Sequence, residues 1–117
     1  MREIKFRSWL KLKGKMLYDF DVLYNGKVSE TSKRVAMQYT GLKDKNGKEI
    51  YEGDIICYNR GQTESREKMT VMWMDAGFVL SAYKEDWSYY LSDCIPVTLE
   101  VIGNIYENPE LLEGVTI

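Results

Sequence analysis

Apolar and polar residues alternate along much of this chain with a period of two, the pattern of strands that have one covered face. From Glu3 to Leu10, Ile4, Phe6 and Ser8 fall on one side of an extended chain, and Lys5, Arg7 and Trp9 on the other. Lys13-Gly14-Lys15 reads as a turn and Met16-Leu17-Tyr18 returns, which predicts an N-terminal hairpin. Between Asp19 and Val35 the pattern fades. Tyr24-Asn25-Gly26-Lys27 carries a turn signal and Ser29 to Ser32 is polar, so this stretch reads as a loop flanked by short strands and as the best boundary in the chain. Met37–Thr40 and Glu49–Tyr51 then flank Asn46-Gly47, a pair that favours positive φ at both central positions of a type I′ turn. Gly53-Asp54 breaks the chain before the β-prone run Ile55-Ile56-Cys57-Tyr58.

After a polar loop from Arg60 to Glu67, Lys68–Met74 puts Met69, Val71 and Trp73 on one face and Thr70, Met72 and Met74 on the other. Asp75-Ala76-Gly77 turns the chain into Phe78–Tyr83, a second predicted hairpin. Asp86 to Asp93 reads either as a short helix or as an irregular aromatic segment. Leu99–Tyr106 is a last strand bent at Gly103. Asn108-Pro109-Glu110 signals a helix start, with Asn108 as N-cap and Pro109 in the first turn, but only about a turn fits before Gly114. Short strands between turn signals predict an all-β fold, a small barrel or sandwich, whose side-chain-filled interior leaves no room for a large cofactor.

Composition narrows the chemistry. At 117 residues the chain is one domain, or one with a small appended subdomain. Nine Tyr, three Trp and three Phe suit a pleated sheet. No apolar run approaches the ~18 residues of a membrane helix. Met1 to Arg7 alternates charge with apolar residues and has no apolar centre of a signal peptide, so a cytoplasmic location is expected. Cys57 and Cys94 are the only cysteines; they form no Cys-x-x-Cys pair and read as buried free thiols. Histidine is absent, which removes the usual base near neutral pH and every imidazole metal site. No metal or other cofactor is expected, and no enzymatic activity.

Charge is distributed unevenly: residues 1–50 sum to +6 and residues 51–117 to −8. Arg2, Lys5, Arg7, Lys11, Lys13 and Lys15 form the densest basic cluster, read either as edge-strand protection or as a contact for nucleic acid, with Lys11, Lys13 and Lys15 as its candidates. Trp87, Tyr89 and Tyr90 are the candidates for an exposed aromatic cluster that grips a protein partner, with core packing as the alternative. Glu52 and Asp54 alternate along an extended segment and could converge on a metal or a sugar; Asp54 is better read as bonding backbone at the strand entry. The Gly41–Lys48 run lacks the Gly-Lys-Ser/Thr ending of a phosphate loop.

Three segments, Met1–Arg7 with Trp9, Gln38–Ile56 and Val101–Leu112, resemble the YopX family of phage and prophage proteins. The resemblance implies an SH3-like β-barrel over residues 36–117, preceded by a hairpin and connecting loop over residues 1–35, and ending in a short helical turn. It carries no enzymatic activity. The expectation is therefore a non-enzymatic module that binds an unknown host or phage protein. The alternative is a nucleic-acid-associated phage factor using the basic hairpin. Opposite charge in the two halves and open edge strands lead us to expect a homo-oligomer.

Overall fold

Two antiparallel sheets account for almost all regular structure. The computed structural model describes residues 4–11, 13–18, 34–59, 67–74, 76–82, 88–94 and 96–113. The elements run β1 (Phe6–Leu10), β2 (Lys15–Tyr18), β3 (Arg34–Lys43), β4 (Glu49–Tyr51), β5 (Asp54–Tyr58), β6 (Glu67–Met74), β7 (Gly77–Ala82) and β8 (Ser88–Tyr90). Two 3₁₀ turns, Leu91–Asp93 and Pro96–Thr98, lead to β9 (Leu99–Asn104) and a one-turn helix, α1 (Glu110–Glu113). No helix among the described residues is long and apolar enough to cross a membrane. The first sheet has the order β2-β1-β3-β4 and the second β8-β7-β6-β5-β9. The fold is all-β, and the second sheet curls into a half-barrel.

The core lies in the curl of the second sheet. Ile56, Met69, Val71, Leu80, Leu91 and Leu99 are buried there, and Ile50 of β4 joins them from the first sheet. The β3–β4 hairpin thus covers the concave face. To do so β3 bends at Gly41, whose φ of 87° is open to glycine at little cost, and the β3–β4 register shifts between Tyr39 and Lys43.

The hairpin tip is not the type I′ turn that Asn46-Gly47 predicts. Gly47 has φ 80°, but Asn46 is not in the positive-φ region. Asp44 decides the outcome. Its Oδ1 accepts the N–H groups of Asn46 (2.8 Å) and Lys48 (2.9 Å), and Gly47 N–H bonds Asp44 O (3.0 Å). A side chain that captures nearby backbone donors outcompetes the dipeptide's own preference. Asp44 Oδ2 also accepts Val101 N–H (2.9 Å), which fastens the tip to β9.

The N-terminal hairpin forms as predicted, and β1 also pairs with β3 from Phe6–Gln38 to Leu10–Arg34, so strand pairing crosses position 35. Its apolar alternation is not what buries it. Arg7 and Ser8 are both buried, while Ile4 is exposed. Both faces of β1 are covered, one by the Arg7 ion pair described below and by Trp9, which stacks on Tyr106 at 5.8 Å. The second hairpin, β6–β7, closes at Met74–Gly77. Ser88–Tyr90 is a strand followed by a 3₁₀ turn, neither the helix nor the irregular segment expected, because pairing with β7 supplies it with backbone partners.

At the last strand, the register slips between Ile55 and Ile56, so that Ile102 bulges beside Gly103. Asn108 does not cap its own helix. Its Oδ1 accepts Asn104 N–H (3.2 Å), while Asn104 Oδ1 holds the N–H groups of Tyr106 (3.0 Å) and Glu107 (2.8 Å). A Cβ on Gly103 would lie 2.6 Å from Asn108 Oδ1, so the close turn demands glycine there.

Candidate interaction surface

A buried ion pair clasps the two sheets together. Arg7 Nη2, on β1, lies 2.8 Å from Asp54 Oδ1 at the start of β5, and both residues are 2% exposed. The same nitrogen donates to Glu52 O (3.1 Å), and the guanidinium sits over the Tyr51 ring at 4.8 Å. Asp54 Oδ2 accepts Tyr51 N–H (2.8 Å), the backbone role predicted for it. Burial pushes the Asp54 carboxyl above its ordinary value, and Arg7 and the Tyr51 N–H pull it back only in part. Glu52 does not join Asp54. Its Oε1 accepts Gln38 N–H (2.9 Å), and no group of three or more Cys, Asp or Glu that could hold a metal occurs among the described residues.

Arg7 therefore leaves the predicted basic cluster, and Lys5 pairs with Glu49 and lies over the Tyr39 ring. Lys11, Lys13 and Lys15 remain exposed at the end of the β1–β2 hairpin. Arg2 lies outside the described residues.

Of the aromatic candidates, Trp87 also lies outside the described residues. Tyr89 and Tyr90 point to opposite faces of β8, as neighbours on a strand must. Tyr89 is half-buried, edge-on to Tyr58 at 5.5 Å and packed on the core, whereas Tyr90 is 48% exposed. Tyr90 has other neighbours than those expected. Met72 (44% exposed), Trp73 (50%) and Met74 (40%) stand at the free end of the β6–β7 hairpin. Register places Met72, Val79 and Tyr90 in one row across the sheet. The Tyr90 ring lies over Gly77, where a Cβ would be 3.2 Å from it. Trp73, edge-on to Phe78 at 4.8 Å, stands between two grooves. One, of about 270 Å³, runs between Phe78, Tyr90 and Leu42; the other, of about 280 Å³, opens toward Met37, Gly53 and Ile105.

Trp73 shares a face with the buried Met69 and Val71, as its spacing predicts, yet it lies beyond the edge of the core. The signal that places it outside is the turn at Asp75-Ala76-Gly77, which makes Trp73 the last inward position before the hairpin reverses. Both cysteines are free and half-buried rather than fully buried; Cys94 Sγ donates to Tyr90 O (3.6 Å), and burial pushes its thiol up.

Comparison with known proteins ties this architecture to a family. Protein EF1440 from Enterococcus faecalis has a crystal structure that is 30% identical in sequence, with a TM-score of 0.67 over 97% of this chain and all of that one. The crystal structure of yopX from Bacillus subtilis aligns with a TM-score of 0.61 at 25% identity, again over 97% of this chain and 100% of the other. The SPbeta prophage-derived uncharacterized protein YopX of Bacillus subtilis is 35% identical over 91 residues, 75% of this chain and 66% of that protein. The family model described as YopX protein matches residues 23–113. That span holds the Gln38–Ile56 and Val101–Leu112 segments, with Asp44, Gly53, Asp54 and Gly103 that shape the turns, and it leaves out the β1–β2 hairpin. With most of its length matched by the family model and its fold shared with two solved relatives, the chain belongs to the YopX family.

Proposed function

We propose that this protein is a non-enzymatic interaction module that binds a host or phage protein through the free end of the β6–β7 hairpin. The observation that carries the reading is the exposure of Met72, Trp73, Met74 and Tyr90 around this end of the sheet, four large apolar side chains each at least 40% exposed, with Met72, Met74 and Tyr90 on one face and Trp73 on the other. Scattered apolar residues are ordinary on a surface, but large ones gathered at one end of a sheet and flanked by grooves mark a contact site. The meander β8-β7-β6-β5-β9, with its last strand beside its first, supports an SH3-like description of the half-barrel. SH3 domains grip extended peptides in aromatic-lined surface grooves rather than inside the barrel. The module works in the host cytoplasm, and self-association through the same apolar end is compatible with it.

The test is affinity capture from infected and uninfected host cells, with the Trp73→Ser/Tyr90→Ser variant run in parallel. A protein retained by the parent and lost by the equally folded variant supports the reading. A partner set indifferent to both substitutions overturns it.

A second reading rests on Lys11, Lys13 and Lys15, exposed together at the end of the β1–β2 hairpin. Three clustered cations suit an anionic backbone. Fluorescence anisotropy with single- and double-stranded DNA and RNA across a salt series decides it. Binding that falls with salt and is lost in the Lys11→Glu/Lys13→Glu/Lys15→Glu variant supports nucleic-acid contact. No binding at low salt removes it.

A further inference from the structure

The groove beside Trp73 is bounded on two sides by strand edges whose backbone groups have no partner among the described residues, and this says what fits it. Along β3, Tyr39 N–H donates to Lys5 O, toward β1, while Gln38 O accepts Glu52 N–H (3.0 Å) on the opposite side. Alternate residues of an antiparallel strand point their N–H and C=O the same way. The β1–β3 register runs unbroken from Gln38 to Arg34, so Ala36, two residues before Gln38, turns its N–H and C=O away from β1 and into the groove. Along β6, Val71 O accepts Gly53 N–H (2.9 Å), and Thr70–Ile55 is the last pair with β5. Trp73, two residues past Val71, presents its N–H and C=O on that same side, beyond the reach of β5.

Between these edges Glu52 and Gly53 already occupy one strand position, since one bonds to β3 and the other to β6. The two edges are thus two strand spacings apart at that point, about 10 Å. Past Gly53 the chain turns into β5 and leaves the position empty, as a space of about 280 Å³ walled by Val35, Met37 and Ile105. Paired backbone donors and acceptors on both sides of an apolar slot specify an extended peptide. The half-buried Glu52 carboxylate at its margin is complementary to a basic side chain.

We propose that this slot binds an extended, apolar segment of a partner protein carrying a basic residue, as an added strand between β3 and β6. The proposal rests on the interaction reading above and names the binding mode. Ala36 and Trp73 exchange hydrogen bonds with alternate residues of the guest, whose apolar side chains enter the slot.

The probe is a random-peptide display library panned on the full chain, followed by hydrogen exchange with and without an enriched peptide. In the free protein the Ala36 and Trp73 amides should exchange rapidly, and the peptide should slow both. Methylating the peptide nitrogen at alternate residues should weaken binding by roughly tenfold, the loss of one or two hydrogen bonds, with the intervening residues tolerant. Ala36→Pro, which removes a groove-facing N–H while leaving the β1–β3 hydrogen bonds in place, should weaken it similarly in a protein that still unfolds cooperatively, and Glu52→Gln should reduce the preference for basic peptides. Amides already protected in the free protein show the slot filled by this chain or by a second copy and overturn the proposal. So does a library that yields no peptide, or peptides indifferent to methylation. If capture of a partner is lost in Trp73→Ser but retained in Ala36→Pro, with bound peptides indifferent to methylation, strand addition fails and the interaction reading stands.

Discussion

Replacing Arg7 by Met should cost the fold a large part of its stability. Methionine fills much of the same space but leaves Asp54 buried with Tyr51 N–H as its one remaining strong donor, and removes the contacts to Glu52 O and the Tyr51 ring. Removing one partner of a buried pair costs about 3–5 kcal/mol, because the other charge stays behind. For a domain of this length about 1 kcal/mol moves the melting temperature by roughly 4 °C, so a fall of roughly 12–20 °C is expected at pH 7. The pH dependence separates this cause from lost packing. Asp54 already titrates above its unfolded value of 3.8, with Arg7 opposing the rise. Without Arg7 the folded-state value climbs further. A carboxyl that holds its proton more tightly when folded stabilises the folded state in acid and loses that stabilisation as pH rises through the folded value. The variant should therefore approach the parent near pH 4 and diverge from it toward neutrality. Arg7→Met/Asp54→Asn should recover much of the loss, since asparagine still accepts the Tyr51 N–H. Urea unfolding followed by tryptophan fluorescence between pH 4 and pH 8 measures all three proteins. A loss below ~1 kcal/mol at pH 7, or one that does not change with pH, would refute the argument.

Asp44→Ala orphans the N–H groups of Asn46, Lys48 and Val101 at once, and should destabilise by about 2–4 kcal/mol in the same urea assay, with Asp44→Asn intermediate because asparagine keeps an acceptor. Gly103→Ala drives a Cβ into Asn108 and Leu111; hydrogen exchange should show the turn from Asn104 to Leu112 opening faster while the β6–β7 amides stay protected. Trp73→Ser/Tyr90→Ser should leave the melting temperature within ~2 °C of the parent and raise solubility, since both side chains are about half exposed.

What sequence reading reached, and where it stopped, follows from the range of the forces involved. Period-two alternation locates β6, β7 and β9, because burial of one face is decided residue by residue along the strand. The role of Asp54 is legible because its Tyr51 partner is three residues away. Arg7 is not: its partner is distant in the chain, and a cation among lysines carries no mark of the pairing. Asp44 defeats the Asn-Gly signal through bonds to Asn46 and Lys48 that a dipeptide preference ignores. The exposed end at Trp73 escapes notice because periodicity gives the face of a residue but not how far along the strand the core extends. Tyr89 and Tyr90 divide between core and solvent as strand neighbours do, once Ser88–Tyr90 is known to be a strand.

The return of β9 to lie beside β5 also sets a schedule for the protein's birth. On the ribosome β5, β6 and β7 emerge in order and can pair as they appear, but the flank of β5 that receives β9 stays open until Leu99–Asn104 has been made. Through that interval Asp44 has no Val101 to hold, Ile56 and Leu80 lack the cover of Leu99, and an unpaired edge faces crowded surroundings. Closure must then draw together segments from far apart in the chain, which slows folding in sheets of this kind. Cells making many copies at once would meet this half-built form first, and a chaperone that shields its open edge would raise the yield of native protein.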